Sequence, residues 1–127
     1  MTLRLGAQPV LADTSVWIDH LRHGNADVAL LVETDALVVH EFVIGELILG
    51  SVPRNHPMAE HLSAYPFLPT ATHAEVTELV RVHRLEGSPI GWVDAHLVAA
   101  SLLGRAQLLT RDRGLEKVAR KLGLHPG

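Results

Sequence analysis

The sequence predicts an α/β domain in which a central parallel sheet is covered by helices on both faces. Three observations lead there. Short apolar runs alternate with stretches of helical spacing along the chain, the spacings between them are short, and the runs are apolar throughout instead of polar at every second position. A length of 127 residues fits one domain, 1–127, large enough to bury a core without disulfides or a structural metal.

Pro9–Asp13 reads as the first strand. Thr14–Arg22 follows as a helix entered through hydroxyl residues able to cap its free N–H groups, and Gly24-Asn25 ends it. A second helix over Asp27–Glu33 leads through Thr34-Asp35 into the apolar run Ala36–Val39, a buried strand. Glu41–Leu49 has helical spacing, with Gly50 placed to terminate it. Between Val52 and Thr70 stand four of the seven prolines, so this region holds one short helix, Met58–Ala64, among irregular connections. His73–Glu86 carries apolar residues at Val76, Leu79, Val80 and Val82 or His83, with Arg81, Arg84 and Glu86 left to solvent. Trp92–Leu103 is apolar all round apart from Asp94, His96 and Ser101, so it is expected to be buried, with Gly104 as its stop. Gln107–Thr110 is the third strand, and Asp112–Leu122 the closing helix before Gly123.

Composition excludes several chemistries. Without cysteine there is no disulfide, thiolate metal site or cysteine nucleophile. Fourteen acids against eleven Lys and Arg give a net charge of −3, which by itself argues for neither nucleic acid nor membrane. No apolar run approaches the roughly 20 residues of a membrane span, and Gln8-Pro9 breaks the stretch after Arg4, a poor secretion signal. A cytoplasmic protein without a membrane partner is expected. Dinucleotide, P-loop and α/β-hydrolase motifs are absent. Nine histidines are many, but the pairs His20/His23 and His56/His61 match no firm zinc or nickel spacing, whereas His40 and His96 stand near enough to the acids to touch a substrate.

The chemistry concentrates in four acids. In parallel sheets of this kind, ligands bind beyond the carboxyl ends of the strands, and there Asp13 follows one strand directly while Asp112 follows another after a single residue. Each could equally cap the next helix. Glu46 has Phe42, Val43, Leu49 and Gly50 as helical neighbours, so its carboxylate is expected on an apolar stripe, where it must be paired, protonated or metal-bound. Asp94 opens the most apolar helix, a position the helix dipole explains in part. Four carboxylates converging on one pocket repel unless a cation sits among them, and an all-oxygen set suits Mg²⁺ or Mn²⁺. Such ions support phosphodiester hydrolysis by acidifying a water and stabilising the leaving oxygen. Arg105, Arg111, Arg113, Lys117, Arg120 and Lys121 place six of the eleven cations in the last strand and helix, and Arg111 and Arg113 bracket Asp112, a patch suited to a phosphate backbone. A solvated basic helix end is the plainer explanation of the same residues.

Four segments, Leu11-Ala12-Asp13-Thr14-Ser15-Val16-Trp17-Ile18-Asp19, Ile44-Gly45-Glu46-Leu47, Trp92-Val93-Asp94-Ala95-His96 and Leu109-Thr110-Arg111-Asp112, in this order and spacing, resemble the PIN-domain nucleases, and within them the VapC-type toxins of bacterial toxin–antitoxin pairs. The resemblance spans nearly the whole chain. It implies a Rossmann-like three-layer sandwich, Mg²⁺ or Mn²⁺ dependence, endonucleolytic RNA cleavage, homodimers and inhibition by a VapB-type antitoxin. It implies further that Asp13, Glu46, Asp94 and Asp112 are the acidic metal-binding set, with Thr14, Ser15 and Thr110 in support. Two departures stand out: Met1–Gln8 precedes the usual start of the family pattern, and Leu122–Gly127 leaves little room for a last edge strand.

The reading that follows is a metal-dependent endoribonuclease toxin, with Asp13 most central on the metal, Asp94 and Asp112 completing the cage, and Glu46 orienting the attacking water. Thr14, Ser15, Thr110, Arg111 and Arg113 would meet the RNA. The rivals are a PIN-like module that binds RNA or protein without cutting, and a phosphatase of small esters. Trp17, Phe42 and Ile48 offer either core packing or a surface for a partner.

Overall fold

A computed structural model describes residues 8–127, so the leading segment 1–7 lies outside the described residues. Strand β1 (Val10–Ala12) runs into helices α1 (Thr14–His23) and α2 (Ala26–Glu33), then strand β2 (Leu37–Val38). Helix α3 (Glu41–Glu46) passes without a break into a π-helical stretch, Leu47–Ser51, followed by α4 (Met58–Ser63) and α5 (His73–Val82). Helix α6 (Trp92–Leu103), strand β3 (Gln107–Leu109) and helix α7 (Arg113–Lys121) complete the chain.

The sheet has the order β2-β1-β3, both pairs parallel, with Leu11 opposite Val38 on one side and Leu108 on the other. Successive strand residues point to opposite faces, and every residue of β1 and β2 is buried, so helices cover both faces as expected. One cluster joins the strands to Val16, Trp17, Val28, Leu31, Val43, Leu97 and Leu115.

Local chemistry explains where the helices begin. Asn25 accepts the N–H groups of Asp27 and Val28, and Thr72 with Glu75 forms a capping box at α5. The cap of α1 is Asp13 and not the hydroxyl residues after it: the carboxylate accepts the Val16 N–H at 3.1 Å, which leaves the Ser15 hydroxyl free to turn back onto that same carboxylate.

Two helices depart from the expected spans. The helix from Glu41 does not stop at Gly50; after Glu46 it widens, and the Val52 N–H reaches the Leu47 carbonyl five residues back at 3.0 Å. Helix α5 stops at Val82, which is 55% exposed, and Leu85 is buried in its place. The cause is Arg84 at φ 53°: its left-handed turn lets the N–H groups of Arg84 and Leu85 bond back to Arg81 and Val80 and folds Leu85 onto the core.

Candidate active site

The chain leaves β1 to build β2 on one side and later returns to build β3 on the other, so the order reverses at the carboxyl end of β1. Asp13 stands at that point. Its N–H donates to the Leu109 carbonyl at 3.0 Å, extending the β1–β3 ladder by one residue and fixing the acid against Thr110. The carboxylate is 4% exposed and accepts three donors: the Ser15 hydroxyl at 2.6 Å and the Val16 N–H on one oxygen, the Thr110 hydroxyl on the other. Thr110 in turn accepts the Asp112 N–H at 3.0 Å, and Ser15 the Arg111 N–H at 2.9 Å. Asp112 caps α7 through the Leu115 N–H at 2.9 Å and keeps its carboxylate at the surface. Two acids on neighbouring strand ends are thus tied together through the Thr110 hydroxyl.

Glu46 arrives from α3 and accepts the Thr14 hydroxyl at 2.6 Å. Contrary to expectation it is exposed, not held on an apolar stripe. The π-helical widening after Glu46 puts later side chains out of phase with α3, so Leu47 is buried while Leu49 is 89% exposed. Asp94 lies half-buried in the first turn of α6.

The four acids share one electrostatic environment. Burial pushes the Asp94 carboxyl above its usual range, and the charges of Asp13, Asp112 and Glu46 push it the same way. Asp13 is also raised, chiefly by burial and slightly by Asp112, against the lowering effect of its three hydrogen bonds. Among the described residues no lysine, arginine or histidine lies in ion-pair distance of any of the four, so Glu46 is not neutralised by an ion pair there. Nor, among the described residues, do three acid or histidine side chains close on one point as a finished metal cage. The set nonetheless fits a hard divalent cation: every donor is oxygen, the charges of the other three raise Asp94, and among the described residues no protein cation pairs with them.

The other expected residues divide. Arg113 is exposed at the start of α7. Arg111 turns away from the acids toward α1, 3.6 Å from Asp19. His40 and His96 do not meet a substrate: they are 0% and 6% exposed and pack edge-on against Phe42, and the His40 Nδ1 accepts the Phe42 N–H to cap α3. Trp17 is core, whereas Ile48 faces solvent. Asp19, which gathers Arg111, His23 at 3.5 Å and Asn25 at 2.9 Å, was missed by the sequence reasoning; only its place at the end of Leu11–Asp19 marks it.

Comparison with known proteins agrees with this geometry. The model of the PIN domain matches residues 10–121. The chain is 40% identical over 116 residues to Ribonuclease VapC32 of Mycobacterium tuberculosis, in the strains CDC 1551 / Oshkosh and ATCC 25618 / H37Rv, covering 91% of this chain and 94% of each relative. It is also 37% identical over 124 residues to Glutamate 5-kinase of Halorhodospira halophila (strain DSM 244 / SL1), but that match takes in only 27% of the kinase and is a likeness to a segment. With the matched residues running from the first strand to the last helix and all four acids inside them, the chain belongs to the PIN-domain family, among its VapC-type members.

Proposed function

We propose that the protein is a metal-dependent endoribonuclease, the toxin of a toxin–antitoxin pair, that hydrolyses RNA phosphodiester bonds with Mg²⁺ or Mn²⁺ held by Asp13, Asp94, Asp112 and Glu46. One observation supports it above the rest. Near the switch point of the parallel sheet the Asp13 and Asp94 carboxyls are both raised, Asp94 in part by the charges of Asp13, Asp112 and Glu46, and among the described residues no protein cation lies in ion-pair distance of any of the four. The VapC32 relatives, named as ribonucleases, point the same way.

The bound ion would supply an acidified water and charge stabilisation at the phosphate. The chain's own residues set the geometry. Asp13 is locked by Ser15, Thr110 and Val16, so the one lone pair left, on the oxygen that Thr110 bonds, has a fixed direction before any ligand arrives. Asp94 is presented from the first turn of α6, while Asp112 and Glu46 stand at the surface, the one held by the Leu115 N–H and the other by the Thr14 hydroxyl. Thr14 holds Glu46 on one oxygen and leaves the other to take a proton from an attacking water. Arg113 and Arg111, flanking Asp112, would meet the RNA backbone, with Thr14, Ser15 and Thr110 beneath it. A VapB-type antitoxin and a second copy of the chain are the proposed protein partners, and the cell interior the proposed site of action. Among the described residues no helix is long and apolar enough to cross a membrane.

Incubating the protein and Asp13→Asn with total RNA, with and without Mn²⁺, and mapping the new ends is the direct test. Defined cleavage by the parent, dependent on the ion and absent in the variant, is expected. Binding without cleavage would leave a non-catalytic RNA-binding module, and turnover of nitrophenyl phosphate alone would leave a phosphatase.

A further inference from the structure

The cationic track expected along α7 is partly spent. Arg120 is held by Glu116 at 3.1 Å, and Lys121 donates to the His83 carbonyl at 3.2 Å. Arg111 leans the other way, and there a cleft of about 270 Å³ opens between α1 and the β3–α7 connection, lined by Ser15, Ile18, Asp19, Arg22, His23 and Arg111. We propose that this cleft is a phosphate subsite that seats the backbone phosphate next to the scissile one, so that the RNA strand leaves the acids across α1 and not along α7. The proposal rests on the ribonuclease reading.

Three features support it. The cleft's inner wall is Ser15, whose hydroxyl bonds the Asp13 carboxylate at 2.6 Å, so the cleft and the acid cluster share a side chain. The groove on α7, lined by Arg113, Glu116, Lys117 and Arg120, shares none. Two guanidinium groups and a histidine then face a single carboxylate, Asp19. Asp19 is engaged by Asn25, Arg111 and His23, and the 3.6 Å separation from Arg111 is longer than a hydrogen bond, which leaves the arginine's donors for a ligand. Arg22 makes no ion pair among the described residues and is exposed. Asp19 thus places Arg111 and His23 on the cleft wall, and Arg22 completes the positive rim.

The test is fluorescence anisotropy of a labelled single-stranded RNA on the Asp13→Asn protein in Mg²⁺, where binding is read without cleavage, over a range of salt. Adding Arg22→Gln is expected to weaken binding several-fold and to flatten the dependence of log K on log salt by about 0.7, the loss of one phosphate contact to a single strand. Arg22→Lys should keep both, since a point charge suffices, and Lys117→Gln should leave both unchanged. Unaltered affinity and slope in Arg22→Gln, or a loss confined to Lys117→Gln, overturns the subsite. Failure of Asp13→Asn to bind RNA at all overturns the subsite, whereas the ribonuclease reading falls only if the parent does not cut RNA. Binding that depends on Arg22 in a protein whose parent never cuts RNA sustains the subsite and removes only the catalysis.

Discussion

Asp13 does two things that pull on its charge in opposite directions. As a helix cap with two hydroxyl donors its carboxylate is favoured, yet burial and Asp112 outweigh those bonds and raise its pKa. An acid whose folded pKa lies above its unfolded value costs stability wherever it is ionised in both states. That cost fades as pH falls through the raised folded value toward the unfolded 3.8. Asp13→Asn keeps an oxygen for the Val16 N–H and sheds the charge. In chelator near neutral pH it is expected to melt no lower than the parent, and the difference should shrink as the pH is lowered toward the ordinary carboxylate range. Calorimetry across pH checks this, and a clear drop in Tm at neutral pH would make Asp13 a structural cap first. Asp13 and Asp112 could be read in the sequence because strand ends are marked by apolar runs. The exposure of Glu46 could not, because nothing in Leu47-Ile48-Leu49-Gly50 announces that the helix will widen.

Between helices and strands one device recurs. Helices α2, α5, α6 and α7 all end with a residue in the left-handed region, Asp35, Arg84, Arg105 and Gly123, and the next residue's N–H bonds five residues back, from Ala36 to Leu31, Leu85 to Val80, Ala106 to Ser101 and Leu124 to Ala119. Only the last uses the glycine that a sequence reader expects there. At α6 the glycine and the left-handed residue are separate. Gly104 has φ −89°, and what it needs is space, since a Cβ would lie 2.7 Å from the Leu68 side chain and 2.9 Å from the Ala100 carbonyl; Arg105 takes the strained φ of 52°. Opposite outcomes follow for neighbouring positions. Arg84→Gly and Arg105→Gly should each stabilise by up to about 1 kcal/mol by relieving left-handed strain. Gly104→Ala should destabilise although alanine suits helices better by about 1 kcal/mol. Urea midpoints at constant slope measure all three. A gain in Gly104→Ala would show that Leu68 moves aside freely.

On the scale of the whole molecule, the acids make the metal-free protein less stable than it could be, so an ion that binds only the folded chain should raise its Tm. At a concentration 100-fold above Kd the gain is about 2.7 kcal/mol, on the order of 10 °C for a domain of this size. Thermal melts with Mn²⁺ or Mg²⁺ against chelator would show the shift, and in Asp13→Asn it should be largely lost. An equal shift in both proteins would place the ion elsewhere. The layered architecture and the order of elements were legible because they follow from alternating apolar periods. The crossing of Arg111 to Asp19 was not, since it joins the two ends of the chain through the fold and leaves no local pattern.

The outer margins of the sheet bear on how copies of the chain can associate. Beside β2, Val39 bonds with Pro66 and Leu68 at 2.9 Å each, and beside β3 the Leu108 N–H is taken by the Leu124 carbonyl at 2.8 Å. Leu124 occupies the place where an edge strand was in doubt, with a single residue instead of a strand. With strands of two and three residues flanked in this way, an incoming chain finds almost no free ladder to join. Among the described residues the sheet thus offers a second copy almost no margin to extend, which leaves helix and loop surfaces for any pairing.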